Sequence, residues 1–163
     1  MGTKALNKIR RATVGELNTI NDLIMSSKSY WDYDPEYLEG CRQTLRLDED
    51  YLQSWPCFVM ETGDKVLAGF SSIVSFENKP ELHNLWILPE YIGRGLGKNL
   101  FLHMMDEAKA KGWMPIRIVA DPFAEDFYKK LGAVNIGQEE SKVKSGFFLP
   151  LLQYGSSLKE SYS

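Results

Sequence analysis

The 163-residue sequence has little cysteine, and its two thiols, Cys41 and Cys57, stand apart without companion ligands. That scarcity excludes a disulfide framework or a cysteine-rich metal site and leaves both as core thiols. A surplus of either charge is missing too: nineteen basic residues against twenty-two acidic ones give a formal net charge of −3. Bulk charge therefore gives no argument for nucleic acid or membrane partners. No stretch approaches the roughly 18 apolar residues of a membrane span, and the opening MGTKALNKIRR lacks the apolar centre of a signal peptide. A cytoplasmic location with no metal is expected. Repeats, linkers and composition breaks are also absent, so one domain is expected over residues 1–154, followed by a polar tail over 155–163.

What is present is an ordinary globular composition, 44% hydrophobic and 25% charged. Residues 7–12 suit a first strand. Thr13 with Glu16 three residues later is a capping-box pattern for a helix that turns Leu17, Ile20, Leu23 and Ile24 inward. Asp34 followed by Pro35 starts a second helix. From residue 57 the period changes to that of strands, over 57–61, 66–76 and 81–88, with turns at 62–65 and 78–80. Short connections between these three imply an antiparallel meander. A third helix carries Leu100, Phe101, Met104, Met105 and Ala108 at helical spacing up to Gly112. A strand over 116–120 precedes a fourth helix opened by Asp121 and Pro122, and strands over 133–137 and 147–154 close the chain.

The chemistry concentrates in WILPEYIGRGLGK, residues 86–98, a strand running into a glycine-rich turn that opens a helix. Gly93, Gly95 and Gly97 let successive N–H groups point into one concavity against the helix N-terminus, and Arg94 and Lys98 add positive charge, which suits a pyrophosphate. The turn is neither a P-loop, which would need Gly at Ile92 and Ser or Thr at Asn99, nor a dinucleotide fingerprint, which would need Gly at Lys98 or Gly or Ala at Leu100.

Together with DPFAEDFYKKLGAVNIG at 121–137, this turn resembles the GCN5-related N-acetyltransferase (GNAT) family, most strongly over 82–154. The segments SK-x-x-W-x-Y, CR and S-x4-G-x-x-LPLL further resemble a group of small bacterial members with mostly unassigned acceptors, in which a basic residue is expected where Phe147 stands. The resemblance implies an α/β, more narrowly α+β, fold: a mixed, mostly antiparallel sheet of about seven strands splayed between the fourth and fifth, with about four helices. It implies acetyl-CoA as cosubstrate, its pyrophosphate on residues 92–98 (Ile92, Gly93, Arg94, Gly95, Leu96, Gly97 and Lys98) and its pantetheine along Trp86 and Ile87. Ile92 departs from the usual Arg or Gln, and its backbone N–H is what the loop requires of it. Asp121, Ala124, Phe127 and Tyr128 complete the cofactor side, with Tyr128 as the acid that protonates the departing thiolate.

A primary ammonium must lose a proton before it attacks a thioester, and Glu81 or His83 on the preceding strand, or water, are the candidates. His103 reads as structural. Tyr30, Trp31 and Tyr33, among Asp32 and Asp34, are expected to wall the acceptor site, since aromatic faces and carboxylates suit a cationic amine. The expected function is direct transfer of acetyl to a primary amine in a ternary complex. An acyl-CoA-binding regulatory module without turnover is the alternative, and a homodimer is left open.

Overall fold

The computed structural model describes residues 6–155. Residues 1–5 and 156–163 lie outside that range, so the expected polar tail is represented only by Gly155. The elements run β1 (Lys8–Arg11), α1 (Leu17–Lys28), α2 (Pro35–Thr44), α3 (Glu49–Ser54), β2 (Cys57–Glu61), β3 (Leu67–Phe76), β4 (Lys79–Ile87), α4 (Leu96–Ala110), β5 (Ile116–Val119), α5 (Glu125–Lys130), β6 (Val134–Glu140) and β7 (Phe148–Tyr154). Short 3₁₀ turns precede α1, α4 and α5.

The seven strands form one sheet in the order β1-β2-β3-β4-β5-β7-β6. All neighbours are antiparallel except β4 and β5, which run parallel and meet at Glu81 opposite Arg117. Beyond that pair the two strands part, which opens the sheet at its middle. This is the mixed, splayed α+β architecture expected, with α3 as a fifth helix.

Strand periodicity sorts the two faces. Along β2, Phe58 and Met60 face a core built on α4, while Cys57 and Val59 face a second core built on α1 and α3. The α4 stripe of Leu100, Phe101, Met104 and Met105 is almost wholly buried. Each such side chain contributes roughly 2 kcal/mol of apolar burial. A smaller cluster joins α2, through Tyr37 and Cys41, to Val143 and Phe147 of the β6–β7 connection.

Several boundaries differ from expectation for local reasons. The hairpin between β3 and β4 turns on Glu77 and Asn78, both with positive φ (51° and 62°), and not on residues 78–80. A two-residue turn with both φ values positive matches the twist of the flanking strands, so pairing begins at once with Phe76 opposite Lys79. Thr13 N–H donates to Glu16 Oε1 at 3.0 Å as the capping box requires, but it starts a 3₁₀ turn that leads into α1. β6 runs past Gly137 to Glu140. The strand β4 carries a bulge at His83: Ser72 pairs with Asn84 and Ile73 with Leu82, so His83 has no partner.

Candidate functional site

The splay between β4 and β5 holds a cleft of about 530 Å³. Trp86 and Ile87 of β4 line it, as do Ile92, Gly93, Gly95, Gly97 and Lys98 of the turn; Asp121, Ala124, Phe127 and Tyr128 line it from the β5–α5 side. Sequence-distant segments are thus brought to one cavity.

The turn is built by its glycines. Gly93 and Gly95 have φ of +86° and +84°, and a Cβ at either position would meet no protein atom within 4 Å. Their role is conformational, since only glycine adopts this backbone without strain. Gly97 differs: it sits in the first turn of α4, where a Cβ would stand 3.3 Å from the Phe127 ring. Gly95 caps α4 without a side-chain hydrogen bond, so the first N–H groups of a fifteen-residue helix remain free at the mouth of the cleft. Ile92 is 39% exposed there. Lys98 is an exposed cation on the same rim. Arg94 and Leu96 lie outside the lining: the Arg94 guanidinium stands 5.0 Å from the centre of the Tyr91 ring, and the Leu96 side chain is buried in the α4 core.

Across the cleft, the Tyr128 ring packs against Phe101 and Phe127. Burial raises its phenol well above the usual tyrosine range, with the Asp121 carboxylate adding to the shift. Tyr128 therefore keeps its proton at neutral pH and lines the cleft as a neutral phenol.

Asp121 is more heavily engaged than its sequence context suggests. Its Oδ2 accepts from Lys28 Nζ at 2.8 Å, and its Oδ1 accepts from the Tyr33 hydroxyl at 2.6 Å and from Phe123 N–H at 3.0 Å. Both members of the Lys28–Asp121 ion pair are largely buried. Lys28 also lies 4.4 Å from the centre of the Tyr33 ring. The Tyr33 face and hydroxyl thus both serve protein groups, tying α1 to the β5–α5 turn. Lys28 stands in the SK-x-x-W-x-Y segment, but its burial and its pairing with Asp121 carry no signal in the sequence, where a lysine at a helix end is ordinarily solvated.

The remaining candidates divide. Trp31 lines the cleft and stacks on Phe123, with ring centres 4.7 Å apart and planes within 2°. Tyr30 is 52% exposed and stands edge-to-face with Trp31, ring centres 4.9 Å apart. A second depression of about 360 Å³ lies between Asp32, Tyr33, Asp34 and Tyr37 on one side and Lys144 and Phe147 on the other, and Phe123 separates it from the main cleft. Phe147 packs edge-on against Tyr37.

His83 lines the cleft, whereas Glu81 does not. Burial pushes the Glu81 carboxyl up despite Arg117 nearby, and it pushes the His83 imidazole down, although part of that residue stays open to solvent. His83 Nδ1 lies 2.6 Å from the Tyr51 hydroxyl of α3, a contact hidden in the sequence because α3 itself was not anticipated. The Asp48 cap and the acidic first turn of LDEDYLQS were its available signal. Cys41 and Cys57 are free and buried, and burial pushes the Cys57 thiol up to about 12. Among the described residues, no group of three His, Cys, Asp or Glu side chains is arranged to hold a metal.

Comparison with known proteins agrees with this geometry. No curated protein matches the chain. Solved structures do: a PaiA N-acetyltransferase from Thermoplasma acidophilum in complex with coenzyme A is 22% identical, with a TM-score of 0.76 over 92% of this chain and 99% of that one. A GCN5-related N-acetyltransferase from Rhodopseudomonas palustris is 18% identical, with a TM-score of 0.79 over 96% and 99%. The putative acetyltransferase yncA from Salmonella typhimurium, solved with its cofactor acetyl-CoA, is 18% identical, with a TM-score of 0.69 over 93% and 94%. At these identities the likeness establishes a shared fold. The acetyltransferase (GNAT) family model matches residues 20–133, the greater part of the chain and all of its glycine turn, and the chain belongs to that family.

Proposed function

We propose that the protein transfers an acetyl group from acetyl-CoA directly to a primary amine, with donor and acceptor bound together. The observation that carries this reading is the cleft itself. It has free helix N–H groups and a left-handed glycine turn at one end, and a protonated tyrosine on the opposite wall.

The residues present fit the cofactor. Gly93 and Gly95 leave the mouth of the turn clear, the first N–H groups of α4 hold pyrophosphate, and Trp86 and Ile87 offer their backbone to the pantetheine. Bound acetyl-CoA supplies the acetyl group as a thioester. In transfer a C–N bond forms as the C–S bond breaks. Tyr128 gives its proton to the leaving sulfur, and Glu81, through water, takes the proton that the ammonium must lose. Burial raises the Glu81 carboxyl, which makes it a stronger base than an ordinary carboxylate and supports this role. Buried cysteines with raised thiols favour direct transfer over an acetyl-enzyme. Trp31, with Tyr30 beside it, is the proposed acceptor wall, and Tyr33 holds that wall to Asp121.

Thiol release from acetyl-CoA, measured against a broad panel of primary amines, tests the proposal. Release that depends on at least one amine is expected. Tight coenzyme binding with no amine-dependent release across the panel would instead identify a regulatory acyl-CoA-binding module.

A further inference from the structure

Around His83 the polar side chains form a connected chain whose proton positions follow from counting donors. Trp86 Nε1 donates to Asn84 Oδ1 at 2.7 Å. An indole nitrogen only donates, so Asn84 turns its oxygen to Trp86 and its amino group toward Ser72 Oγ (3.0 Å) and Tyr51 Oη (3.3 Å). Ser72 is fully buried, and its hydroxyl proton needs an acceptor. Tyr51 Oη, 2.8 Å away, takes it. Having accepted from Ser72 and Asn84, Tyr51 sends its own proton to His83 Nδ1 at 2.6 Å. The reverse direction, from Nδ1–H to Tyr51 and on to Ser72, would strand the Ser72 proton in the core without a partner, a costly arrangement.

The bulge makes this chain geometrically available. Leu82 and Leu85 both face the α4 core, whereas the adjacent His83 and Asn84 both reach Tyr51. A regular strand would have pointed these neighbours to opposite sides.

We infer that His83 stands in the cleft as a neutral hydrogen-bond donor, with its proton on Nε2 and its Nδ1 held by Tyr51, and that it is not the base for the amine. The inference rests on the acetyltransfer reading of the cleft. Among the described residues, Nδ1 is the ring nitrogen with hydrogen-bond partners, which leaves Nε2–H for a ligand. The oxygen it serves is the thioester carbonyl, where negative charge builds as the amine adds. Protonating the ring would make Nδ1 a donor and reverse the whole chain. Burial and the charge of Lys142, from the β6–β7 connection, oppose that protonation as well. Tyr51 is a positioning residue: it fixes the tautomer and does not line the cleft.

Heteronuclear NMR of the full chain, labelled with heavy nitrogen at histidine and free of ligand at neutral pH, tests the tautomer. The chain has two histidines, and His103→Gln assigns the signals. The expected spectrum has His83 protonated at Nε2 and bare at Nδ1, moving toward the Nδ1–H form in Tyr51→Phe. A wild-type His83 protonated on Nδ1, or doubly protonated, overturns the inference. In the amine assay, His83→Ala is expected to lower kcat about 100-fold, while His83→Gln, which keeps an N–H donor and cannot act as a base, restores most of the rate. A glutamine variant no better than alanine overturns the donor role. The spectrum is read without coenzyme, so failure of acetyl-CoA to bind would remove the acetyltransfer reading and leave the tautomer result intact.

Discussion

Single atoms in the cleft carry the sharpest consequences. Replacing Tyr128 with Phe removes the proposed acid and leaves the ring's packing against Phe101 and Phe127 in place. The chemical step measured in a single turnover should fall about 100-fold with acetyl-CoA affinity unchanged. An unchanged rate would exclude Tyr128 as the acid. Gly95→Val should weaken coenzyme binding because a branched residue at φ +84° costs about 1–2 kcal/mol and displaces the turn, although its side chain would meet no protein atom. Normal affinity in a folded variant would contradict the phosphate-loop assignment. A base must be ionised to accept a proton, so the proposed role of Glu81 predicts that activity falls as pH falls through its raised pKa. Glu81→Gln should lower kcat and remove that limb of the profile. A limb that persists in the variant would place the base elsewhere.

At the scale of elements, the ties between them matter more than the elements themselves. Asp121 joins the end of α1, through Lys28, to the start of the turn before α5, through Phe123 N–H, and it holds Tyr33 between them. Asp121→Ala would leave the Lys28 ammonium buried without its carboxylate. It should destabilise the fold by about 3 kcal/mol, read by denaturant titration; a loss under about 1 kcal/mol would show that the pair is not buried in solution.

Elements with strong patterns or paired signals were legible from sequence: β2 and β3 as apolar-rich runs bounded by turn residues, α4 by its apolar stripe, and α2 and the turn before α5 by their Asp-Pro starts. α3 was not, because six residues with Leu52 as the buried member give periodicity nothing to work on. The bulge at His83 was equally hidden, since an extra residue in a strand leaves no composition cue, and with it went the contact to Tyr51. The lining of the cleft could be read because it comes from two contiguous motifs, at 86–98 and 121–128, whereas the Lys28–Asp121–Tyr33 and Trp86–Asn84–Ser72–Tyr51–His83 chains join residues far apart in sequence.

The whole molecule is a sheet opened at its centre with helices on both faces, and its ionisation behaviour follows from what it buries. Burial raises the phenols of Tyr33, Tyr37, Tyr51 and Tyr128, with Tyr37 pushed up to about 12. Tyrosines in an unfolded chain release protons near pH 10. Above about that pH the unfolded state therefore holds fewer protons than the folded one, and stability should decline as pH rises further. At the acid end Glu16, held below the usual carboxylate range by its hydrogen bond to Arg10, contributes stability above its ordinary pKa of about 4.3 that is lost as pH falls. Denaturant titrations across pH would show a plateau with losses at both ends; constant stability well above pH 10 would contradict the burial of these tyrosines.

Every role proposed for the cleft requires the opened sheet to seat the acetyl donor. A crystal structure with acetyl-CoA bound measures this most directly. The prediction is pyrophosphate on the free N–H groups at the start of α4, pantetheine between β4 and β5, and the thioester sulfur within hydrogen-bonding reach of the Tyr128 hydroxyl. Coenzyme bound outside the splay, or a sulfur remote from Tyr128, would contradict it.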